Sequence, residues 1–161
     1  MKTLVIYYSL TGNTDYAAKK IADILQVDIY RLHPEKEFPS SGFGMYYRGG
    51  KSAVFKETPA LSPIDIDLSV YERILIGTPV WAGTMSSPVY SFLKEYKDIL
   101  KDKEIAVFCS CSGGKTEKAF AAFKETLGIS SLRAELRLVD PLEKPDEANE
   151  KGIEEFCKRV D

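Results

Sequence analysis

Cysteine and histidine are scarce in this chain of 161 residues, which contains three cysteines and one histidine. Cys109, Cys111 and Cys157 form an odd-numbered set without the regular spacing of a zinc site. The sequence therefore disfavours a disulfide framework and a structural metal centre. His33 has no companion with which to form a metal site or an acid–base pair. We predict no bound metal, reduced thiols and a cytoplasmic protein.

The chain also lacks an excess of charge of either sign and lacks long apolar runs. It carries 22 basic and 24 acidic residues and a formal net charge of −2, which argues against a nucleic acid or a membrane surface as its partner. Its apolar runs are far too short to cross a bilayer, and we expect no signal peptide before the first strand. The length, with 44% hydrophobic residues, predicts one domain spanning residues 1–161 around one sizeable core.

The most informative stretch, residues 4–14, is an apolar run that breaks into a hydroxyl-rich turn. No polar residue interrupts positions 4–7, which predicts a strand buried on both faces. Helical periodicity begins after Thr14, so the turn joins the carboxyl end of a strand to the amino end of a helix. Backbone N–H groups lack partners there and carry partial positive charge, which predicts an anion site.

That turn contains no lysine or arginine, so hydroxyl and amide donors would have to hold the anion. It also lacks the Walker pattern and the Gly-x-Gly-x-x-Gly pattern of dinucleotide-binding proteins. An ordinary capped strand-to-helix turn without a ligand is the alternative interpretation. The residues concerned are Ser9, Leu10, Thr11, Gly12, Asn13 and Thr14.

The rest of the chain alternates strands with amphipathic helices, which predicts a doubly wound α/β fold with helices on both faces of a parallel sheet. We predict five strands, at residues 4–7, 27–32, 73–77, 105–109 and 132–138. The second and fifth carry the alternating polar residues of edge strands, whereas the other three are apolar throughout. A sheet ordered 2-1-3-4-5 puts the strands in those places.

Helix boundaries are predicted from capping residues. Ser86 or Ser87 would cap a helix that has Pro88 at its first position. Gly128 would end a helix that begins near Thr116. The final helix would begin at Asp146 and end with basic residues that suit its dipole.

Ligands of doubly wound sheets bind at the carboxyl ends of the strands where the strand order reverses. We therefore expect the loops after the first, third and fourth strands to converge. The loop at residues 78–83 carries the one tryptophan, Trp81, which is suited to stacking on a flat ring. Alternatively, Trp81 covers the end of the sheet and no ligand binds.

The loop at residues 110–114 contains small residues and two glycines that allow a close backbone approach. Cys111 within this loop is either a redox thiol or a small packing residue.

Residues 35–68 form an irregular flap that is rich in proline and glycine. Its length indicates a functional loop or a short helix near residues 44–55. Either its aromatic residues pack the flap onto the body of the protein, or Tyr47, Arg48 or Lys51 lines the rim of a cofactor site.

Three motifs give the sequence a resemblance to the flavodoxin family. Residues 9–14 resemble that family's FMN-phosphate loop, S/T-x-T-G-N-T, directly after the first strand. The segment around Trp81 resembles the loop that covers the isoalloxazine ring, and residues 110–114 resemble the loop beside the pyrimidine end of the flavin. The resemblance covers nearly the whole chain and implies a flavodoxin-like fold with FMN as the cofactor.

The resemblance further implies that the flavin carries the chemistry and that the chain supplies no catalytic residue. The residues implied to bind FMN are Ser9, Leu10, Thr11, Gly12, Asn13, Thr14, Thr78, Pro79, Val80, Trp81, Ala82, Gly83, Ser110, Cys111, Ser112, Gly113 and Gly114. Many electron-carrying flavodoxins place a second aromatic residue in the third loop, and this sequence does not. One flavin face would then be open, or covered by Tyr46 or Tyr47 from the flap.

A fold of this kind supports several activities. The resemblance implies a protein that transfers electrons between redox partners, either a partner protein or a small-molecule acceptor. The alternatives are an FMN-dependent NAD(P)H or quinone oxidoreductase and a flavin-free binding domain on the same fold. The sequence leaves both a monomer and a homodimer open.

Overall fold

A computed structural model describes residues 1–161 of the chain and contains a six-stranded sheet with helices on both faces. The strands are β1 (Thr3–Tyr7), β2 (Asp28–Arg31), β3 (Arg73–Trp81), β4 (Thr84–Met85), β5 (Glu104–Cys111) and β6 (Glu135–Val139). The helices are α1 (Asn13–Leu25), α2 (Gly42–Val54), α3 (Ser87–Glu95), α4 (Lys97–Leu100), α5 (Glu117–Leu127) and α6 (Glu147–Val160). One short 3₁₀ helix spans Leu68–Val70. None of the helices combines the length and the hydrophobicity that crossing a bilayer requires.

Five of the strands are parallel and lie in the order β2-β1-β3-β5-β6. This is the predicted arrangement of parallel strands, but the predicted total of five was wrong because β4 adds a sixth. β4 pairs with β3 in an antiparallel hairpin. The two residues at its tip, Ala82 and Gly83, both have positive φ, 50° and 78°, as two-residue hairpin turns commonly require. Ala-Gly lacks the asparagine or aspartate that usually signals such a turn.

β3 also runs further than predicted, to Trp81 instead of residue 77. Thr78 and Pro79 continue the parallel ladder opposite Cys109 and Ser110 of β5. The predicted second loop is therefore mostly strand. β6 begins three residues later than predicted, at Glu135, and its alternating burial is that of the predicted edge strand.

Alternate residues of the central strands build two cores, one on each face of the sheet. Val5, Leu75 and Ala106 pack with α1 and α6, whereas Ile6, Ile76 and Val107 pack with α3 and α5. All six side chains are fully buried. Burial of a large aliphatic side chain stabilises a fold by about 1.5–3 kcal/mol, so this two-faced packing explains the apolar runs within the central strands, at residues 4–7, 74–76 and 105–109.

The predicted capping residues are confirmed. Ser86 precedes α3, which begins at Ser87, so Pro88 is the second residue of the helix and not the first as predicted. Thr116 and Gly128 flank α5, with Gly128 in the left-handed region at φ 71°. Asp146 caps α6, and its carboxylate accepts a hydrogen bond from the backbone N–H of Asn149.

Candidate functional site

A cavity of about 200 Å³ opens at the carboxyl ends of β1, β3 and β5, where the strand order reverses. Ten of its lining residues belong to the three predicted segments: Leu10, Thr11, Asn13, Pro79, Val80, Trp81, Ala82, Ser110, Cys111 and Ser112. The structure therefore brings the three segments together. Seven other predicted residues do not line the cavity: Ser9, Gly12, Thr14, Thr78, Gly83, Gly113 and Gly114.

The turn after β1 presents unpaired backbone donors. The N–H groups of Leu10, Thr11, Asn13 and Thr14 have no hydrogen-bond acceptor within the protein. Gly12 has φ 103°, a left-handed conformation that glycine adopts readily. The free N–H groups of this turn and of the first turn of α1 make a region of positive potential without any cationic side chain.

Two of the three hydroxyls in this turn are buried and already hydrogen-bonded. The backbone N–H of Gly12 donates to Ser9 Oγ at 3.2 Å, which leaves the hydroxyl proton of Ser9 free. Thr14 Oγ1 and Ser110 Oγ share a hydrogen bond of 2.6 Å, so one proton of that pair also stays free. Thr11 is exposed. The turn thus keeps hydroxyl donors as well as amide donors.

Asn13 connects the turn to a distant segment. Its Oδ1 accepts hydrogen bonds from the backbone N–H groups of Leu142 at 2.9 Å and Glu143 at 3.4 Å. Its side-chain oxygen therefore holds the turn between β6 and α6 in place, and its backbone N–H and its Nδ2 amino group remain as donors.

No lysine or arginine lines the cavity, as the sequence of the turn predicted, and two carboxylates do. Arg31 lies behind the turn, where its Nη2 donates to the Ser9 carbonyl at 3.0 Å. Its Nη1 also lies 3.6 Å from Asp15. Burial by itself would raise the pKa of Asp15, but hydrogen bonds from Lys19 and Tyr7 and the charges of Lys19 and Arg31 outweigh it and lower that pKa.

Trp81 is half-buried at the end of β3 and lines the cavity. Its indole meets the edge of the Tyr8 ring at a centroid distance of 5.7 Å and the Phe38 ring at 5.0 Å. The backbone of Gly49 in α2 lies against the indole as well. Trp81 therefore covers the end of the sheet and borders the cavity at the same time.

The flap contains the predicted short helix, which is α2, and this helix forms one side of the cavity. Met45, Tyr46 and Gly50 of α2 line it. Tyr47, Arg48 and Lys51, one of which would line the rim under one of the two interpretations of the flap, do not line this cavity. Arg48 pairs with Glu57 at 2.6 Å, and Lys51 lies over the Tyr47 ring.

Four predicted site residues have structural roles in this arrangement. Thr78 is fully buried, and its Oγ1 accepts a hydrogen bond of 3.0 Å from the backbone N–H of Ser86. Gly83 forms the hairpin turn, Gly113 has φ 117°, and the Gly114 carbonyl accepts a hydrogen bond of 2.9 Å from Arg137.

All three cysteines are free and buried. The Cys111 thiol lines the cavity and donates to the carbonyls of Leu138 at 3.5 Å and Gly114 at 3.7 Å. Burial raises the pKa of Cys109, and it also raises the pKa of Cys157, to about 11. No cluster of three or more potential metal ligands is present.

Sequence reasoning missed the two acidic residues of the cavity, Asp140 and Glu143. Asp140 is buried and has φ 41°, an unusual conformation for a residue other than glycine. Its carboxylate accepts a hydrogen bond from Ser112 Oγ at 3.3 Å and lies 3.4 Å from Lys144 Nζ. Both residues follow β6, so the rule that ligands bind at the carboxyl ends of strands would have pointed to them if the last strand had been included.

Comparisons with known proteins agree with this geometry. The chain matches the family model described as Flavodoxin over residues 2–141. A flavoprotein in complex with FMN from Lactobacillus acidophilus NCFM has the same fold, with a TM-score of 0.76 and 23% identity over 96% of this chain and 97% of that chain. Oxidised Flavodoxin 1 from Bacillus cereus has a TM-score of 0.58 and 20% identity over 99% of this chain and 97% of that chain.

One curated relative is an enzyme. The NAD(P)H dehydrogenase (quinone) of Chromohalobacter salexigens is 31% identical over 100 residues, which cover 56% of this chain and 45% of that enzyme. The chain thus matches less than half of the length of this relative.

Proposed function

Because the chain belongs to the flavodoxin family, whose model matches residues 2–141, we propose that it binds FMN in the cavity beside Trp81 and transfers electrons between redox partners. The observation that carries the proposal is the set of four unpaired N–H groups, those of Leu10, Thr11, Asn13 and Thr14, at the edge of a cavity that the indole of Trp81 also lines. An anion and a flat ring attached to it would both find partners there. FMN supplies the redox chemistry when it is bound, by accepting and donating electrons.

The residues divide into two groups by what they would hold. The N–H groups of the turn after β1 and the hydroxyls of Ser9, Thr11 and Thr14 would hold the phosphate. Trp81, with Val80 and Ala82 beside it, would contact the ring from one side, and Ser110, Cys111 and Ser112 would border its other end. Tyr46, which is 73% exposed, would reach the ring from α2.

A comparison of two flavins tests the phosphate assignment. The apoprotein is titrated with FMN and with riboflavin, which has the same ring and no phosphate, and flavin fluorescence is measured. A charged hydrogen-bonded group contributes about 1.5–3 kcal/mol, so we expect riboflavin to bind at least about tenfold more weakly. Equal affinities would contradict a phosphate site in the turn after β1. A protein that takes up neither flavin would be the flavin-free binding domain.

A reductase is the second candidate, and the curated quinone-dependent relative favours it. The third loop has no aromatic residue to cover a second flavin face, which would leave room for a hydride donor. Anaerobic mixing of the FMN-loaded protein with NADPH or NADH separates the two candidates. Rapid bleaching of the flavin followed by turnover with a quinone indicates the reductase. Flavin that is reduced only through a partner protein indicates the carrier.

A cytoplasmic location stays a prediction, supported by three free, buried cysteines. The identity of the redox partner and the choice between monomer and homodimer also stay predictions.

A further inference from the structure

A second cavity, of about 230 Å³, lies between α2, α3 and α5 beside the β4 strand. It shares no residue with the cavity beside Trp81. α2 contributes to both, with Met45, Tyr46 and Gly50 on the first and Ser52 and Ala53 on the second.

Three lysines line this cavity without a partner. Lys56, Lys94 and Lys97 are not within 4.0 Å of any carboxylate, although ten ion pairs form elsewhere in the protein. The single carboxylate in the lining is Glu125, which forms no ion pair either. The cavity thus has an excess of positive charge in a chain whose net charge is −2. A concave surface with like charges concentrates the field and attracts an ion of opposite sign.

Three other residues of the cavity lining have side-chain hydroxyls without a hydrogen-bond partner. Thr84, Tyr90 and Thr126 line the cavity, and their side-chain hydroxyls make no hydrogen bond within the protein. Ser87 and Ser52 differ, because Ser87 Oγ donates to Ser52 Oγ at 2.9 Å and Ser52 Oγ donates to the Gly49 carbonyl at 2.7 Å. The two serines therefore hold α3 against α2, and the other three hydroxyls remain available as donors.

The chain makes a sharp turn at Lys56, which lines the cavity. Lys56 has φ 49°, in the left-handed region that a side chain makes unfavourable. Hydrogen bonds from the Lys56 N–H to the Ala53 carbonyl at 3.2 Å and from the Glu57 N–H to the Ser52 carbonyl at 2.9 Å hold this turn.

We propose that this cavity binds a small phosphate-bearing anion. Three ammonium groups and three hydroxyl donors match the several oxygens and the double charge of a phosphate better than the single charge of a carboxylate. The phosphate has two possible sources, the free inorganic ion and a phosphorylated metabolite.

Amide chemical shifts test the proposal. The ¹⁵N-labelled protein as purified is titrated with inorganic phosphate, with pyrophosphate and with adenosine 2′,5′-bisphosphate, at constant ionic strength set with chloride. We expect saturable shifts of the Thr84, Tyr90 and Thr126 amides. These signals report on the second cavity whether or not the turn after β1 also takes up phosphate, so the result is independent of the FMN proposal. Shifts with inorganic phosphate indicate the free ion as the ligand, and shifts with the bisphosphate alone indicate a phosphorylated metabolite.

Matched variants locate the binding. We expect Lys94→Gln to raise the dissociation constant at least about fivefold, since it removes one of three charges, and Glu125→Gln to lower it. Lys118→Gln changes an exposed lysine of α5 outside the cavity and serves as the control with unchanged affinity. The proposal is overturned if no saturable shift occurs at about 10 mM ligand, or if Lys94→Gln and Lys118→Gln bind equally well.

Discussion

The backbone of Gly49 lies against the indole of Trp81: a Cβ at position 49 would stand 3.4–3.5 Å from the Cδ2, Cε2 and Cε3 atoms of the ring. That separation is an ordinary van der Waals contact, so a methyl group fits there. A longer side chain has to displace either the indole or α2.

This contact predicts opposite effects for two substitutions at one position. Gly49→Ala should raise the free energy of unfolding by up to about 1 kcal/mol, because alanine favours a helix more than glycine does. Gly49→Leu should lower the FMN affinity by moving the indole. Urea denaturation and flavin titration measure the two effects. If the leucine variant bound FMN as tightly as the alanine variant, the position of α2 would have no influence on the ring site.

Trp81→Ala should weaken FMN binding by roughly 1–3 kcal/mol, the usual cost of removing an aromatic residue on which a base stacks. Trp81→Phe is the matched control and should retain part of that energy. Both variants are titrated with FMN by fluorescence. An unchanged affinity of Trp81→Ala would show that the indole only covers the sheet.

Substitutions of Asn13 and Thr11 should distinguish a residue that stabilises the fold from a residue that contacts the ligand, although both lie in the same turn. Asn13→Ala leaves the N–H groups of Leu142 and Glu143 without their acceptor and should cost the apoprotein about 0.5–1.5 kcal/mol, the net contribution of a typical hydrogen bond. Thr11→Ala changes an exposed residue and should leave the apoprotein within about 0.5 kcal/mol of the unmodified protein, while it weakens FMN binding. Urea denaturation of the apoproteins tests both. Equal stabilities would mean that the link between Asn13 and the β6–α6 turn contributes nothing.

Gly77→Ala should destabilise the fold. A Cβ there would stand 2.3 Å from Phe108 Cζ and 2.9 Å from Tyr7 Cβ, in the middle of the sheet where neither residue has room to move. Overpacking of this kind costs typically about 1–3 kcal/mol. Gly114→Ala, at a glycine with nothing within 4 Å of a Cβ, should change the unfolding free energy by less than about 0.5 kcal/mol. A tolerated Gly77→Ala would mean that the sheet adjusts at this position.

The lowered pKa of Asp15 predicts a loss of stability in acid. The folded state favours the charged carboxylate of Asp15. Asp15 therefore adds to the free energy of unfolding at pH values above its pKa in the unfolded chain, about 3.9. This stabilisation is lost as the pH falls through the lower pKa that Asp15 has in the folded protein. We expect the unfolding free energy of Asp15→Asn to fall less steeply below pH 4 than that of the unmodified protein. Urea denaturation at a series of pH values provides the comparison. Parallel curves would show that Lys19, Tyr7 and Arg31 do not favour the charged form.

Much of the fold was predictable because it depends on residues close together in the chain. Unbroken apolar runs marked the central strands, Pro88 and Gly128 marked helix boundaries, and the polar alternation of the outer strands led to the parallel order. β4 was missed because a hairpin of two residue pairs has almost no hydrophobic pattern.

The sequence by itself determined where an anion would meet the fold, since a glycine and a helix amino end leave amides unpaired through local geometry alone. Only the tertiary structure decided which side chains remain free to meet it. The Thr14 and Ser110 hydroxyls share one hydrogen bond and keep one free proton, the Asn13 side-chain oxygen is taken up by the turn at Leu142, and Gly49 of α2 lies against Trp81. The residues of each pair are far apart in the chain, and the packing of the sheet and helices brings them together. A local sequence pattern therefore does not predict these contacts.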